Sequence, residues 1–235
     1  MSEKIIPITS ERRSFLTRLS AGVTALAAAV VTGAPAAQGQ TTGGARWQPE
    51  RHETDDWLDK LPGKHRMVFD TTTATGFGEA ILFANNFMTA NQSGYGVPDN
   101  ALAIVIVARH NSTAFAYNDA MWAKYGLPLS LRTNFTDPKN RQAPKTNLYN
   151  APDYGVQLLN RGTTLDSLAK RGVHFAVCQM ATRGIAGALA DIAGGNTDAI
   201  YNELVANIVT NARMVPAGIV AVNRAQERGY SFVSA

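Results

Sequence analysis

Continuous apolar runs recur along the chain from about residue 66 onwards, and segments of other character separate them. The clearest run, 101–108, reads ALAIVIVA and contains no polar residue. Such a run is typical of a strand in a parallel sheet that is covered on both faces. Four shorter apolar segments are also predicted to be strands: 66–70, 173–178, 213–215 and 230–233.

Between these runs the apolar residues follow helical spacing. Helices are predicted over 77–92 and 112–125. Thr163 and Asp166 have the capping-box spacing that opens a short helix, and Gly172 ends it. Three later helices are predicted at 180–193, 197–209 and 218–228. Strands that alternate with helices in this way predict an α/β fold in which helices cover both faces of a parallel sheet.

Two segments interrupt this rhythm. Residues 38–64 are polar, with one short predicted helix at 55–60, and we interpret them as a leader ahead of a domain at 65–235. Residues 127–160 contain four prolines and several aromatic residues. A loop of this length is usually a lid, a binding loop or an oligomer contact, and the alternative is a surface insertion without a role.

The first 37 residues have the features of a twin-arginine export signal. The paired Arg12 and Arg13 precede an uncharged, alanine-rich stretch over 19–31 and a small-x-small pattern at 34–36. The stretch is too short and too weakly apolar to span a membrane, which takes about 20 strongly apolar residues. We therefore expect export to the bacterial periplasm or beyond, with no stable membrane insertion after cleavage. The alternatives are a cytosolic protein with a basic N-terminus and a retained anchor.

Composition narrows the function classes. Of the 235 residues, 45% are hydrophobic, which excludes a disordered chain because enough apolar side chains are present to form a core. Half of the net charge of +4 lies in 1–37, and the remainder has no basic cluster, so nucleic acid is not an expected partner. The single cysteine, Cys178, excludes an intrachain disulfide.

Ligands of parallel α/β sheets bind at the carboxyl ends of the strands. The residues at these ends are therefore the candidate site: Asp70, Thr71, Arg109, His110, Asn111, Cys178, Gln179 and Gly218. Parallel strands would bring them to one edge, with Cys178 in the same cleft as His110. We assign five of them to ligand binding: Asp70, Thr71, Asn111, Gln179 and Gly218.

Cys178 is the sharpest candidate for chemistry. It ends a predicted strand and precedes a helix whose positive end favours a thiolate, and Arg183 lies one turn further on. Apolar neighbours oppose this effect, and the alternative is a cysteine that only packs in the core. His110 is a candidate acid, base or ligand, with a surface histidine as the alternative, whereas His174 is expected to be structural.

No cofactor is predicted from the motifs. The four histidines show no metal-ligand spacing, and HExxH, CxxC, GxGxxG after a strand, GxxxxGK[ST] and GxSxG do not occur. The sequence therefore predicts neither a metal site nor a nucleotide-binding loop nor an α/β-hydrolase elbow.

Two segments resemble a known family. Residues 168–178, LAKRGVHFAVC, are similar to the signature of the DsrE/DsrF-like (YchN-like) family, in which a helix, the pattern GV.F.VC and another helix recur. Residues 215–230, which begin VPAGI and end QERGY, resemble the C-terminal part of the same family, and the likeness covers about residues 66–234. The resemblance implies a flavodoxin-like, three-layer α/β fold and homo-oligomers, either trimers or hexamers. It also implies that Cys178 relays sulfane sulfur, as the matching cysteine does in the better-understood members.

Three functions remain open from the sequence. The first is a periplasmic protein that binds or relays sulfane sulfur on Cys178, with His110 or Arg183 assisting and a sulfur donor or acceptor protein as partner. The second is a non-catalytic module that holds a small ligand under the loop at 127–160. The third is an oligomeric accessory protein that acts through contacts alone. The state of Cys178 separates them, because relay needs an accessible thiolate.

Overall fold

A five-stranded sheet with all strands parallel forms the centre of residues 47–235, the part of the chain that the computed structural model describes. The strands are β1 (His65–Thr71), β2 (Leu102–Ala108), β3 (His174–Cys178), β4 (Ala212–Val215) and β5 (Ser231–Ser234). They lie side by side in the order β4-β3-β2-β1-β5. Each strand begins and ends within one residue of its predicted bounds. The predicted signal at 1–37 and the first part of the predicted leader lie outside the described residues.

Helices cover both faces of this sheet, as the sequence predicts. Within residues 47–235 the α-helices are α1 (Trp57–Lys60), α2 (Ala74–Tyr95), α3 (Asp119–Thr133), α4 (Leu165–Lys170), α5 (Gln179–Ala193), α6 (Thr197–Ala206) and α7 (Gly218–Gln226). Short 3-10 helices lie at Glu53–Asp55, Asp99–Ala101, His110–Ala116, Leu148–Asn150 and Pro152–Gln157. The predicted fold class is thereby confirmed: the protein is α/β, consistent with a three-layer flavodoxin-like fold. None of the described helices is long and apolar enough to cross a membrane.

β2 supplies apolar side chains to both faces of the sheet, and all seven of its residues are buried. Successive side chains of a strand point to opposite faces. Ile104 and Ile106 therefore join a larger core against α2 to α6, whereas Val105 and Val107 join a smaller core against α1 and α7. Burial on both faces explains why the run has no alternation of polar residues.

The segment before β1 contributes to the smaller core. Trp57, Leu58 and Leu61 are buried there, although polar residues surround them in the sequence. The carbonyl oxygen of Leu58 accepts hydrogen bonds from Nη1 of Arg66 at 3.0 Å and from the hydroxyl of Tyr230 at 2.7 Å. These contacts join residues that the sequence analysis interprets as a leader to the same compact unit as the sheet, which begins at Pro49.

The largest departure from the predicted helices follows β2. The helix predicted at 112–125 is instead a 3-10 helix, His110–Ala116, followed by α3. The division falls at Asn118, whose side chain caps α3 by accepting hydrogen bonds from the backbone N–H groups of Ala120 and Met121. An asparagine in this role fixes where a helix begins, so the predicted single helix is wrong at this point.

The insertion predicted at 127–160 is largely packed against the domain. α3 continues into it after a kink at Tyr125. Further along, the rings of Phe135 and Tyr149 each lie 5.0 Å from the ring of Phe115 in the larger core. Aromatic contacts of this kind bury large apolar areas, so these parts of the insertion stabilise the fold.

The capping box of α4 lies one residue later than predicted. The Thr164 hydroxyl accepts a hydrogen bond from the N–H of Ser167, and the Ser167 hydroxyl accepts one from the N–H of Thr164, both at 3.1 Å. The predicted partner Asp166 instead accepts a hydrogen bond from the side chain of Asn150 at 3.0 Å. The helix itself forms where it was predicted, because either threonine can serve as its cap.

We predict that Leu58→Ala destabilises the protein by about 2–5 kcal/mol, because this side chain is 0% exposed and its truncation leaves a cavity. The free energy of unfolding in urea measures the effect. Leu127→Ala is the matched control, because the Leu127 side chain is largely exposed and its loss should change stability by less than about 0.5 kcal/mol. Equal stability of the two variants would show that the segment before β1 does not belong to the core.

We predict that stability falls as the pH is lowered from neutral towards 5, in part through His174. Burial, and then the positive charge of Arg213, lower the pKa of His174 in the folded state. The unfolded chain therefore binds more protons than the folded chain below an unfolded pKa of about 6.5, and this favours unfolding. Urea titrations at neutral and acid pH should show a smaller loss in His174→Asn than in the unchanged protein. The matched control His65→Asn removes an exposed imidazole and should keep the full loss.

Candidate functional site

Strand alternation places three polar residues at the carboxyl edge of the sheet on the face that α1 and α7 cover. The direction follows from strand alternation, in which every second residue shares a face. Val107 and Ala176 lie in the smaller core, and Arg109 and Cys178 each come two residues later along the chain. Asp70 has the same relation to Val68 in β1.

The register of the sheet brings Arg109 next to Cys178. Ala108 of β2 pairs with Val177 of β3, so the residue after each of them occupies an equivalent position on a neighbouring strand. Neighbouring strands lie about 4.8 Å apart, so residues at such positions on one face are neighbours. Arg109 is among the residues predicted from the sequence at this edge, where no role is assigned to it. The sequence signal for Arg109 is its position two residues after Val107 of β2, which matches the position of Cys178 two residues after Ala176 of β3.

Arg109 and Asp70 form a two-point ion pair. Nε of Arg109 donates to Oδ1 of Asp70 at 2.7 Å, and Nη2 donates to Oδ2 at 2.8 Å. The Asp70 side chain is 7% exposed, and a carboxylate at such a place is stable only with a partner. The hydrogen bond to Asp70 is the largest effect on the pKa of Arg109 and raises it. Burial lowers this pKa, and the electrostatic interactions of Arg109 with Asp70 and Cys178 raise it. Arg109 is therefore a fixed cation within electrostatic range of the thiol.

Gly218 at the start of α7 supports the side chain of Arg109. A Cβ atom at Gly218 would lie 2.5 Å from Cβ and 3.1 Å from Cδ of Arg109, so a larger residue does not fit. The aliphatic part of Arg109 thus packs directly on the backbone of α7. Gly218, which the sequence analysis assigns to ligand binding, contacts Arg109 in the structure.

Cys178 ends β3 and caps α5, as the sequence predicts. Its sulfur accepts a hydrogen bond from the N–H of Ala181 at 3.4 Å, and the residue is 6% exposed. Its carbonyl oxygen accepts a hydrogen bond from Thr182 at 3.0 Å, and the Thr182 hydroxyl accepts one from Tyr117 at 3.0 Å. Burial raises the pKa of Tyr117, so that hydroxyl remains a donor at neutral pH. These bonds hold the first turn of α5 in place around the thiol.

His110 and Asn111 share one cleft of the described structure. They line a cavity of about 450 Å³ between α3 and α5, and Cys178 is not among the described residues that line it. This cavity does not support the expectation that His110 shares a cleft with the thiol, which stays a prediction. The backbone of His110, with a φ of +56°, begins a 3-10 helix that packs on the larger core.

Thr71 and Arg183 are engaged within the protein. The Thr71 hydroxyl is buried and donates to the carbonyl oxygen of Val107 at 2.7 Å, which ties β1 to β2. The Arg183 guanidinium pairs with Asp198 at 3.3 Å and lies 4.1 Å above the ring of Tyr201 in α6. In these positions Thr71 holds the sheet together and Arg183 links α5 to α6.

Gln179 lines a third cleft, next to the carboxyl end of β4. Its other lining residues include Trp57, Arg213 and Pro216, and its volume is about 540 Å³. In residues 47–235 there is no group of three or more His, Cys, Asp or Glu side chains that could hold a metal ion. The charged side chains described next to Cys178 are those of Arg109 and Asp70.

Comparisons with known proteins add little to this geometry. No family model matches the chain, and no curated protein matches it. A solved structure of MTH1491 from Methanobacterium thermoautotrophicum, a protein of unknown function, covers 73% of this chain and 100% of its own, with 13% identity and a TM-score of 0.38. The resemblance to the DsrE/DsrF-like family accordingly depends on the residues at 168–178 and 215–230.

Proposed function

We propose that this chain is an exported, DsrE/DsrF-like protein that accepts sulfane sulfur on Cys178 and passes it to an acceptor. The observation that carries the proposal is the placement of Cys178 at the N-terminus of α5, one strand away from the cation Arg109. A helix N-terminus and a neighbouring cation both favour a thiolate over a thiol. The thiolate is the form that attacks sulfur.

The reaction needs no added oxidant or reductant. The Cys178 thiolate attacks the outer sulfur of a donor R–S–SH, a new S–S bond forms at Cys178, and the donor's S–S bond breaks. The donor leaves as R–S⁻ with the electron pair of that bond, and the outer sulfur keeps its proton. In the second step an acceptor thiolate attacks the outer sulfur of Cys178–S–SH, which releases the Cys178 thiolate.

Arg109 and Asp70 set the charge around the sulfur in this proposal. Arg109 donates two of its five N–H groups to Asp70, which holds the guanidinium in place and offsets part of its charge. The small exposed fraction of Cys178 favours small, linear donors such as polysulfide over bulky ones. Two other residues are predicted from the sequence to assist Cys178. His110 lines the cleft between α3 and α5, and Arg183 pairs with Asp198 of α6.

A second candidate function is a ligand-binding module without sulfur chemistry. The observation that favours it is the cleft at His110, whose lining does not depend on the thiol. Such a module tolerates an unreactive Cys178, so the two candidates differ in the chemistry of that side chain.

We predict that brief incubation with inorganic polysulfide adds the mass of one sulfur atom to the folded protein, and that a reductant removes it. Intact-mass spectrometry measures the gain, and Cys178→Ala should show none. Arg109→Gln should slow the gain about tenfold, because it leaves the carboxylate of Asp70 unpaired near the thiol, whereas Asp70→Asn should speed it. Arg161→Gln is the matched control, since it removes an exposed arginine elsewhere.

Thermal melting of each variant shows whether it is folded, since breaking a buried ion pair also costs stability. Should Arg109→Gln not fold, Asp70→Asn still tests the sign of the effect. Sulfur gain by Cys178→Ala, or gain by the unchanged protein only after unfolding in urea, would leave Cys178 as a core residue and contradict the proposal.

The proposal also includes export and self-association. Export is expected from the twin-arginine pattern at 1–37, and self-association is implied by the resemblance to the DsrE/DsrF-like family. We predict that protein recovered from the periplasmic fraction of a bacterial host begins near residue 37 and forms a trimer or hexamer. N-terminal sequencing and light scattering of the same sample test both statements. An unprocessed chain confined to the cytoplasm, or a monomer at micromolar concentration, would contradict the corresponding part.

A further inference from the structure

We propose that the cleft between α3 and α5 binds an amphiphilic monocarboxylate, such as a medium-chain fatty acid, with its carboxylate at Arg132. This cleft is the one lined by His110 and Asn111, with a volume of about 450 Å³. Cavities of this size are in the range that small organic ligands occupy. The proposal goes beyond sulfur transfer, because the site does not use Cys178.

The cleft offers a continuous apolar surface. Buried side chains form its floor: Leu129, Ile185 and Leu189. Leu131 and Ile192 form its rim and are 68% and 60% exposed. Exposed apolar side chains beside an apolar floor gain stability when a hydrocarbon covers them. Ile185 and Ile192 are about 10 Å apart along α5, which is close to the extended length of an eight-carbon chain.

Arg132 supplies the polar end of the cleft. Its Nε is buried and has no hydrogen-bond partner among residues 47–235, and no ion pair to Arg132 forms in this part of the chain. Nη1 and Nη2 of Arg132 are not buried and also make no hydrogen bond among these residues, so a carboxylate in the cleft can accept hydrogen bonds from them. Nη2 lies 3.9 Å from the position of a Cβ at Gly184, so the guanidinium rests over a part of α5 that carries no side chain.

The lining favours a monoanion with two oxygens in one plane. The planar fork of an arginine matches a carboxylate with two parallel hydrogen bonds. His110 and Asn111 add N–H donors nearby, and the described lining contains neither a carboxylate that would repel an anion nor a second permanent cation that a phosphate would prefer. The cleft therefore has an apolar floor, one permanent cation and polar donors beside that cation. These features together match a fatty acid.

Isothermal titration calorimetry of the full chain with octanoate tests the proposal, with octanol and acetate as comparators. Octanoate should bind, and both comparators should bind at least about tenfold more weakly, because octanol lacks the charge and acetate lacks the chain. Cys178→Ala should bind octanoate as the unchanged protein does. That result separates this site from the sulfur chemistry, so failure of either proposal leaves the other standing.

Two variants assign the binding to the cleft. Arg132→Gln should weaken octanoate binding at least about tenfold, without affecting octanol, and the matched control Arg141→Gln should leave both unchanged. Ala188→Trp fills the cleft and should abolish binding of both ligands. Thermal melting should show Arg132→Gln to be folded, since its side chain makes no hydrogen bond in the described residues.

Three results would overturn the proposal. The first is equal affinity for octanoate and octanol, which would mean that the cleft recognises hydrocarbon without charge. The second is unchanged octanoate binding by folded Arg132→Gln. The third is an absence of octanoate binding by the unchanged protein, and a change of oligomeric state in Ala188→Trp by light scattering would then identify the cleft as a contact between copies of the chain.

Discussion

Burial of β2 on both faces is the constraint on which the remaining structure depends. Each of its residues is buried, so the strand requires apolar cover from two layers at once. The long helices and the insertion cover one face of the sheet. After β1, the main element that covers the other face is α7. The segment with Trp57, Leu58 and Leu61 supplies the missing cover, which explains why polar sequence around three apolar residues folds against the sheet.

The same alternation continues past the ends of the strands and positions the thiol site. Because side chains alternate strictly, the face that β2 and β3 give to the smaller core is also the face of Arg109 and Cys178. Asp70 follows the same rule in β1 and neutralises part of the charge of Arg109. A buried ion pair of this kind is weak evidence for stability, since desolvation offsets its attraction. In the proposed function, this ion pair sets the charge next to the thiol.

The two proposed sites lie on different sides of the sheet edge. Cys178 follows Ala176 of the smaller core by two residues, whereas the cleft at Arg132 lies between α3 and α5, whose buried side chains belong to the larger core. His110, with a φ of +56°, redirects the chain immediately after β2 and lines that cleft. The two proposals therefore involve different side chains: the N-terminus of α5 belongs to the proposed thiol site and its later turns to the proposed carboxylate site.

Local sequence determined the strands, most helices and the position of Cys178 at the junction of β3 and α5, because periodicity and caps act over a few residues. The tertiary structure decided what depends on distant partners. The sequence predicts Leu58 as part of a polar leader, whereas the structure buries it in the smaller core. The sequence predicts a helix from residue 112, whereas the left-handed backbone of His110 begins a 3-10 helix directly after β2. Arg109 is a candidate site residue because the strand register places it beside Cys178. Arg132 is a candidate because its side chain has no hydrogen-bond acceptor among the described residues. Neither fact can be predicted from the sequence, since both arise when segments far apart along the chain come together.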